Sequence, residues 1–230
     1  MTETEQIKHL LSLCSPTQRQ EIFRHLREEF HIHPLEAELN TEAEIILEAI
    51  QRSGGLTLRM IRGVIAEAAF RIHVVERLAG WTDRTPPGDL PYDFLLDDGK
   101  GAVRVQVKLQ RSVARRPMKA KEAYRFLPAD MYVVETQRTR GGSNKIGSST
   151  RPYRFGEFDL LAVALYPSTR TWDTFMYTVA EWLLPGQTNP SEILKFQPVA
   201  TTPDNGWTDD FSTAVKWWRS GTKRKIRGGK

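Results

Sequence analysis

The sequence holds a single cysteine, Cys14, among its 230 residues. One thiol excludes a disulfide framework and any cysteine-based zinc site, and points to a reducing compartment. Long apolar runs are also missing. The longest, such as residues 160–165, have strand length and fall far short of the roughly 18 apolar residues of a membrane helix. The first five residues, Met-Thr-Glu-Thr-Glu, are acidic and lack the apolar stretch of a signal peptide. Secretion and membrane insertion are therefore not expected. No glycine-rich loop has the Walker spacing, so an ATP-driven motor is not expected either. His31 and His33 flank one residue near Pro34 without a third ligand close by, and read as a solvated turn rather than a metal site. No internal repeat is visible.

What is present is an ordinary globular composition, 40% hydrophobic and 27% charged. That excludes a disordered or fibrous chain, and the length suits one large domain or one core with an appendage. The net charge of +5 conceals an asymmetry. Residues 104–156 carry thirteen basic side chains against three acidic ones, and residues 216–230 carry seven basic ones and no acid. The remainder is strongly acidic. Basic blocks in an otherwise acidic chain are the footprint of a polyanion binder, and the plain alternative is a solvated basic face. For the tail, a frayed end is the stronger alternative.

Residues 4–52 read as helical. Ser15-Pro16 opens one helix, reaching about Phe30, because Ser caps and Pro suits the first helical position. Thr41 and Glu44 have the spacing of a capping box ahead of Ile45, Ile46 and Leu47. Gly54-Gly55 ends that helix. A further helix is expected over residues 57–78, with Met60, Ile61, Val64, Ile65, Ala68 and Ile72 as its buried stripe. Glu67 lies one residue off the centre of that stripe. The period then changes to two. Residues 92–96 read as a strand, Asp97-Asp98-Gly99-Lys100-Gly101 as a turn, and residues 102–108 as an alternating strand with one buried face. Further strands are expected at 131–134 and 158–165, and a terminal helix at 211–219. The aromatic-rich segment after Pro167 reads as mixed short elements.

The hairpin carries the chemistry. Asp93 stands on its first strand. Gln106 and Lys108 stand two apart on the second, hence on one face. Pairing brings a carboxylate, an amide and an ammonium to one end of the sheet. Phosphodiester hydrolysis uses such an array: oxygen donors for a hard divalent cation, and a cation for the charge developing on phosphate. Asp93, the Gln106 amide oxygen, the Val107 carbonyl and Glu67 are the candidate metal ligands. The alternative makes Gln106 and Lys108 the solvent face of an amphipathic strand.

The order, a helix with Glu67, a strand with Asp93, then Gln106-Val107-Lys108, resembles the PD-(D/E)xK nuclease superfamily, in its variant with glutamine at the third position. The resemblance covers roughly half the chain, from Thr57 to about Leu165. It departs where Tyr92 separates Pro91 from Asp93, and where Gln106 replaces the usual acid. It implies an α/β fold, a restriction-endonuclease-like mixed sheet flanked by helices. Residues 1–55 then form a helical N-terminal region, 56–168 the nuclease core and 169–230 a C-terminal extension with the basic tail. Asp93, Gln106, Lys108 and Glu67 become the catalytic set, with one or two Mg²⁺ ions. The implied activity is site-specific cleavage of double-stranded DNA by a type II restriction enzyme, part of restriction-modification in a prokaryotic cytoplasm. The implied assembly is a homodimer, for which the N-terminal helices are the expected interface. A homing, repair or junction-resolving nuclease, or a DNA-binding protein without catalysis, stays open. Arg111, Arg115, Arg116 and Lys119 are the candidates for phosphate contact, and Gln137, Arg138, Arg140, Asn144, Lys145 and Arg151 for contacts to bases or phosphates.

Overall fold

The computed structural model describes residues 2–29, 34–138, 152–204 and 206–228. The chain divides into two compact units, Met1–Leu58 and Arg59–Lys230. The first holds α1 (Glu3–Leu13), α2 (Pro16–Glu29), α3 (Pro34–Leu39) and α4 (Ala43–Arg52). α2 starts as expected: Ser15 accepts from the Gln18 N–H, and Gln18 accepts from the Ser15 N–H. α4 does not use the expected capping box. Its N-cap is Glu42, which makes no side-chain cap bond, and the orphan N–H of Ala43 donates to Glu36 Oε1 at 2.9 Å. Glu44 is drawn away into an ion pair with Arg27. His31 and His33 lie outside the described residues.

α5 (Gly55–His73) crosses the division between the units, and a 3₁₀ turn (Val75–Arg77) follows it. The stripe expected to be buried faces solvent: Met60, Val64, Ile65 and Ile72 are exposed, while Ala66, Ala69 and Phe70 are buried. Arg59, Arg62, Glu67 and Arg71 are spread around the helix among its apolar residues, so periodicity alone does not select the face. Phe70 selects it. Its ring meets those of Phe94 at 5.1 Å, Phe175 at 5.5 Å and Phe211 at 6.2 Å.

The second unit then runs β1 (Thr82–Asp83), β2 (Phe94–Asp97), β3 (Ala102–Leu109), β4 (Ser112–Val113), β5 (Arg116–Pro117), α6 (Ala120–Ala123) and β6 (Tyr132–Glu135). β7 (Leu160–Ala164), α7 (Tyr166–Thr169), β8 (Phe175–Val179), a 3₁₀ turn (Ala180–Trp182), β9 (Phe196–Val199) and α8 (Phe211–Arg219) complete it. The fold is α/β. A five-stranded mixed sheet has the order β1-β2-β3-β7-β8, in which only β3 and β7 run parallel. The hairpin forms, with Phe94 opposite Val105 and Asp97 opposite Ala102.

One expectation changes, that of β3. β3 is the central strand, and Val105, Gln106 and Val107 are all buried, so it does not present one wet face. β6 pairs with β9 in a separate ladder and meets β3 through the Gln110–Val134 bridge. The aromatic-rich segment supplies β8, buried along its whole length within the main sheet. The C-terminal tail is also fixed rather than frayed over its described residues. Trp182 Nε1 donates to the Thr222 carbonyl at 2.8 Å, the Ile226 N–H donates to the Trp182 carbonyl at 2.9 Å, and Ile226 is buried. α8 spans the residues expected of a terminal helix, capped by Asp210.

Candidate active site

Asp93 lies one residue before β2, and its N–H still bonds to the Val105 carbonyl at 3.0 Å, so the ladder fixes its backbone. Its Oδ2 accepts from Gln106 Nε2 at 2.5 Å and from the Val107 N–H at 2.7 Å. The second of these bonds comes from main chain, so the carboxylate is aimed by the hairpin itself. Glu67 arrives from α5. Phe70, one turn further on, packs against Phe94, the residue after Asp93, and this anchor brings Glu67 beside Asp93. The two carboxylates line an open cleft of about 250 Å³ with Thr85, Gly88, Asp89, Leu90, Tyr92 and Phe94.

The electrostatics follow from that closeness. Burial, then the neighbouring Asp93 charge, push the Glu67 carboxyl up to about 7, against the opposing pull of Lys108. Burial also raises Asp93, opposed by the Lys108 charge and by the Val107 and Gln106 hydrogen bonds. Gln106 is 1% exposed. Its Nε2 is spent on Asp93, with a longer contact to the Val107 carbonyl at 3.3 Å, while its Oε1 is buried without a donor. Lys108 Nζ lies 5.4 Å from the centroid of the Tyr153 ring. Asp93, Gln106, Lys108 and Glu67 thus share one edge of the hairpin, and Val107 joins them through its main chain.

The candidates for DNA contact are placed differently. Arg111 pairs with Glu135 at 2.6 Å, and Arg116 grips Glu122 through two bonds of 2.6 and 2.8 Å. That grip holds the Glu122 carboxyl down at about 2. Lys119 Nζ stands 3.8 Å from the Tyr132 ring centroid. Arg138 pairs with Glu157 at 2.8 Å and lies 5.4 Å from the Tyr153 ring centroid. Gln137 bridges to Pro152. Arg115 is exposed in the turn between β4 and β5, at a positive φ of 62°. Arg140, Asn144, Lys145 and Arg151 lie outside the described residues.

Two residues of this region escaped the sequence reading. Asp89 is a third acid in the cleft, and Pro-Pro-Gly-Asp marks only a turn. Tyr153 follows Pro152 far from the hairpin in sequence, and nothing in its spacing ties it to Lys108.

No protein-family model matches the chain, and no curated protein matches it. Among solved structures, a bacterial homing endonuclease, I-Ssp6803I, aligns at 21% identity with a TM-score of 0.38, covering 73% of this chain and 96% of that one. A likeness of that extent carries no functional weight, and the reading of the site rests on its own residues.

Proposed function

We propose that the protein is a Mg²⁺-dependent, site-specific double-stranded DNA endonuclease of the type II restriction kind. One observation carries the reading: a buried glutamine joined to an aspartate at the open end of the β2–β3 hairpin, with a glutamate and a lysine converging on them. A solvated strand face has no use for this arrangement, because a buried amide oxygen without a donor and two mutually repelling carboxylates both cost stability.

The residues fit a hard cation. Gln106 Oε1 is a buried acceptor without a donor, and the Asp93 charge raises the cost of charging Glu67. Among the described residues no three His, Cys, Asp or Glu side chains converge as a closed metal cage. Mg²⁺ asks for no such cage, since it takes one or two carboxylates and completes its shell with water and phosphate oxygens. Asp93, Glu67, Gln106 and the Val107 carbonyl would hold it. When bound it would supply a Lewis acid at the scissile phosphate. Lys108 places an ammonium where negative charge develops on the phosphoryl oxygens, and it orients the attacking water. The basic side chains around β4, β5 and α6 would hold the duplex.

A digest of plasmid and phage DNA, with Mg²⁺ or with EDTA, tests the reading. Discrete fragments that vanish in EDTA are expected, and Lys108→Ala or Asp93→Ala should lower the rate by roughly 10²-fold or more while DNA binding persists. A short palindromic site supports the restriction assignment, and one long site indicates a homing enzyme. Binding without cleavage overturns the enzyme reading.

A further inference from the structure

Tyr153 has no role in the chemistry proposed above, yet it is a buried side chain packed beside Lys108. It is 4% exposed. Phe158 meets its ring edge-on at 5.4 Å and 90°. Its carbonyl accepts from the Ile193 N–H at 2.8 Å, and the residue before it is bridged to Gln137. Two cations address this one ring, Lys108 Nζ and Arg138 Cζ, each 5.4 Å from its centroid, and Lys108 also donates to the Tyr153 hydroxyl. They would repel each other there unless each had a counter-charge. Arg138 has Glu157 at 2.8 Å, and Lys108 has the carboxylates of Asp93 and Glu67.

A lysine stem is flexible, and an ammonium placed only by carboxylates would follow them wherever water allowed. An aromatic face adds a direction, because its quadrupole attracts the cation along a defined approach. We propose that Tyr153 is a positioning residue, whose packed ring holds the Lys108 ammonium beside Asp93 and Gln106 at the open end of the hairpin. The consequence for cleavage rests on the nuclease reading, whereas the consequence for Lys108 does not.

The test therefore has two readouts on the full chain: steady-state cleavage with Mg²⁺, and the NMR shift of the Lys108 ε-methylene protons. An aromatic ring this close moves those protons upfield of the ones on solvated lysines. Tyr153→Leu should return the Lys108 signal to the solvated position and lower kcat by about 10²-fold, with KM nearly unchanged. Tyr153→Phe keeps the ring and removes only the hydroxyl that Lys108 also bonds, so it should retain the shift and most of kcat; a Tyr153→Phe loss as large as that of Tyr153→Leu would give the positioning to the hydroxyl and overturn the role of the ring. Should Tyr153→Leu fail to fold, pentafluorophenylalanine at position 153 keeps the shape and removes the negative face, and kcat should fall with it. A Lys108 shift unmoved in Tyr153→Leu overturns the proposal, as does a full kcat once the ring is gone or fluorinated. If the wild-type protein cuts no DNA, the nuclease reading falls, and the Lys108 shift alone decides the positioning.

Discussion

Asp93, Gln106 and Lys108 were legible because their signals are local: a turn cluster between two apolar stretches, and residues two apart on one strand. Their surroundings were not. Alternation suggested that Gln106 faces water, whereas β7 and the rest of the sheet cover it. Glu67 illustrates what burial does to one residue. Its carboxyl titrates near 7 in the folded protein, against an ordinary value of 4.5 in the unfolded chain. Between those values the folded state binds the extra proton. The stability that Glu67 contributes is therefore present below about 4.5 and lost as pH rises through 7. Glu67→Gln cannot lose that proton. In thermal melts with EDTA, the variant should gain on the wild-type protein from pH 4.5 to about pH 7 and level off above it. A constant difference across that range would show that the Glu67 charge is not held at a cost.

At the scale of elements, the hairpin was readable and its partners were not. β6 finds β9 and β7 finds β8 through pairings that no local pattern encodes, and β8 lacks alternation because both its faces are buried. α5 gave its helix but not its face, since charged and apolar residues mixed around it leave the choice to Phe70 and the rings it meets. The parallel join of β3 to β7 also depends on a contact that charge counting hid. Arg104 counts toward the basic block, yet it is a structural clasp. Its guanidinium bonds Asp159 at 2.7 and 3.1 Å and the Gly156 carbonyl at 2.6 Å, while its own N–H donates to Asp159 at 2.8 Å. Asp159 is 8% exposed. Arg104→Ala leaves that carboxylate with the residue-104 main-chain N–H but no guanidinium, so denaturant titration should show a loss of about 1–3 kcal/mol. Adding Asp159→Asn should recover part of the loss, because the buried charge goes with its partner. An Arg104→Ala loss below about 1 kcal/mol would place the pair among ordinary surface bridges.

For the whole molecule, the sequence suggested two basic regions reaching out to a polyanion, and the fold spends much of that charge on itself. Arg111, Arg116 and Arg138 each face a glutamate, Arg219 grips Asp98 at 2.7 and 2.8 Å, and Arg227 pairs with Asp130. The tail that carries Arg227 is fixed by Ile226 and the Trp182 hydrogen bonds, so its cations are held to the second unit. Linear distance hides such pairs: Arg219 and Asp98 stand 121 residues apart. The electrostatic footprint should therefore be smaller than the composition implies. Each phosphate contact made by a free cation adds about 0.9 to the slope of log affinity against log salt. Arg115 is exposed and makes no ion pair among the described residues, whereas Arg116, its neighbour in sequence, already has two bonds to Glu122. Arg115→Gln should lower the slope by close to one contact. Arg116→Gln should lower it by much less, because that cation must first give up Glu122 to reach a phosphate. Duplex binding measured from about 50 to 200 mM salt separates the two variants. Equal slopes would mean that the Arg116–Glu122 pair opens freely on the duplex, and that composition was the better guide to the charge DNA meets.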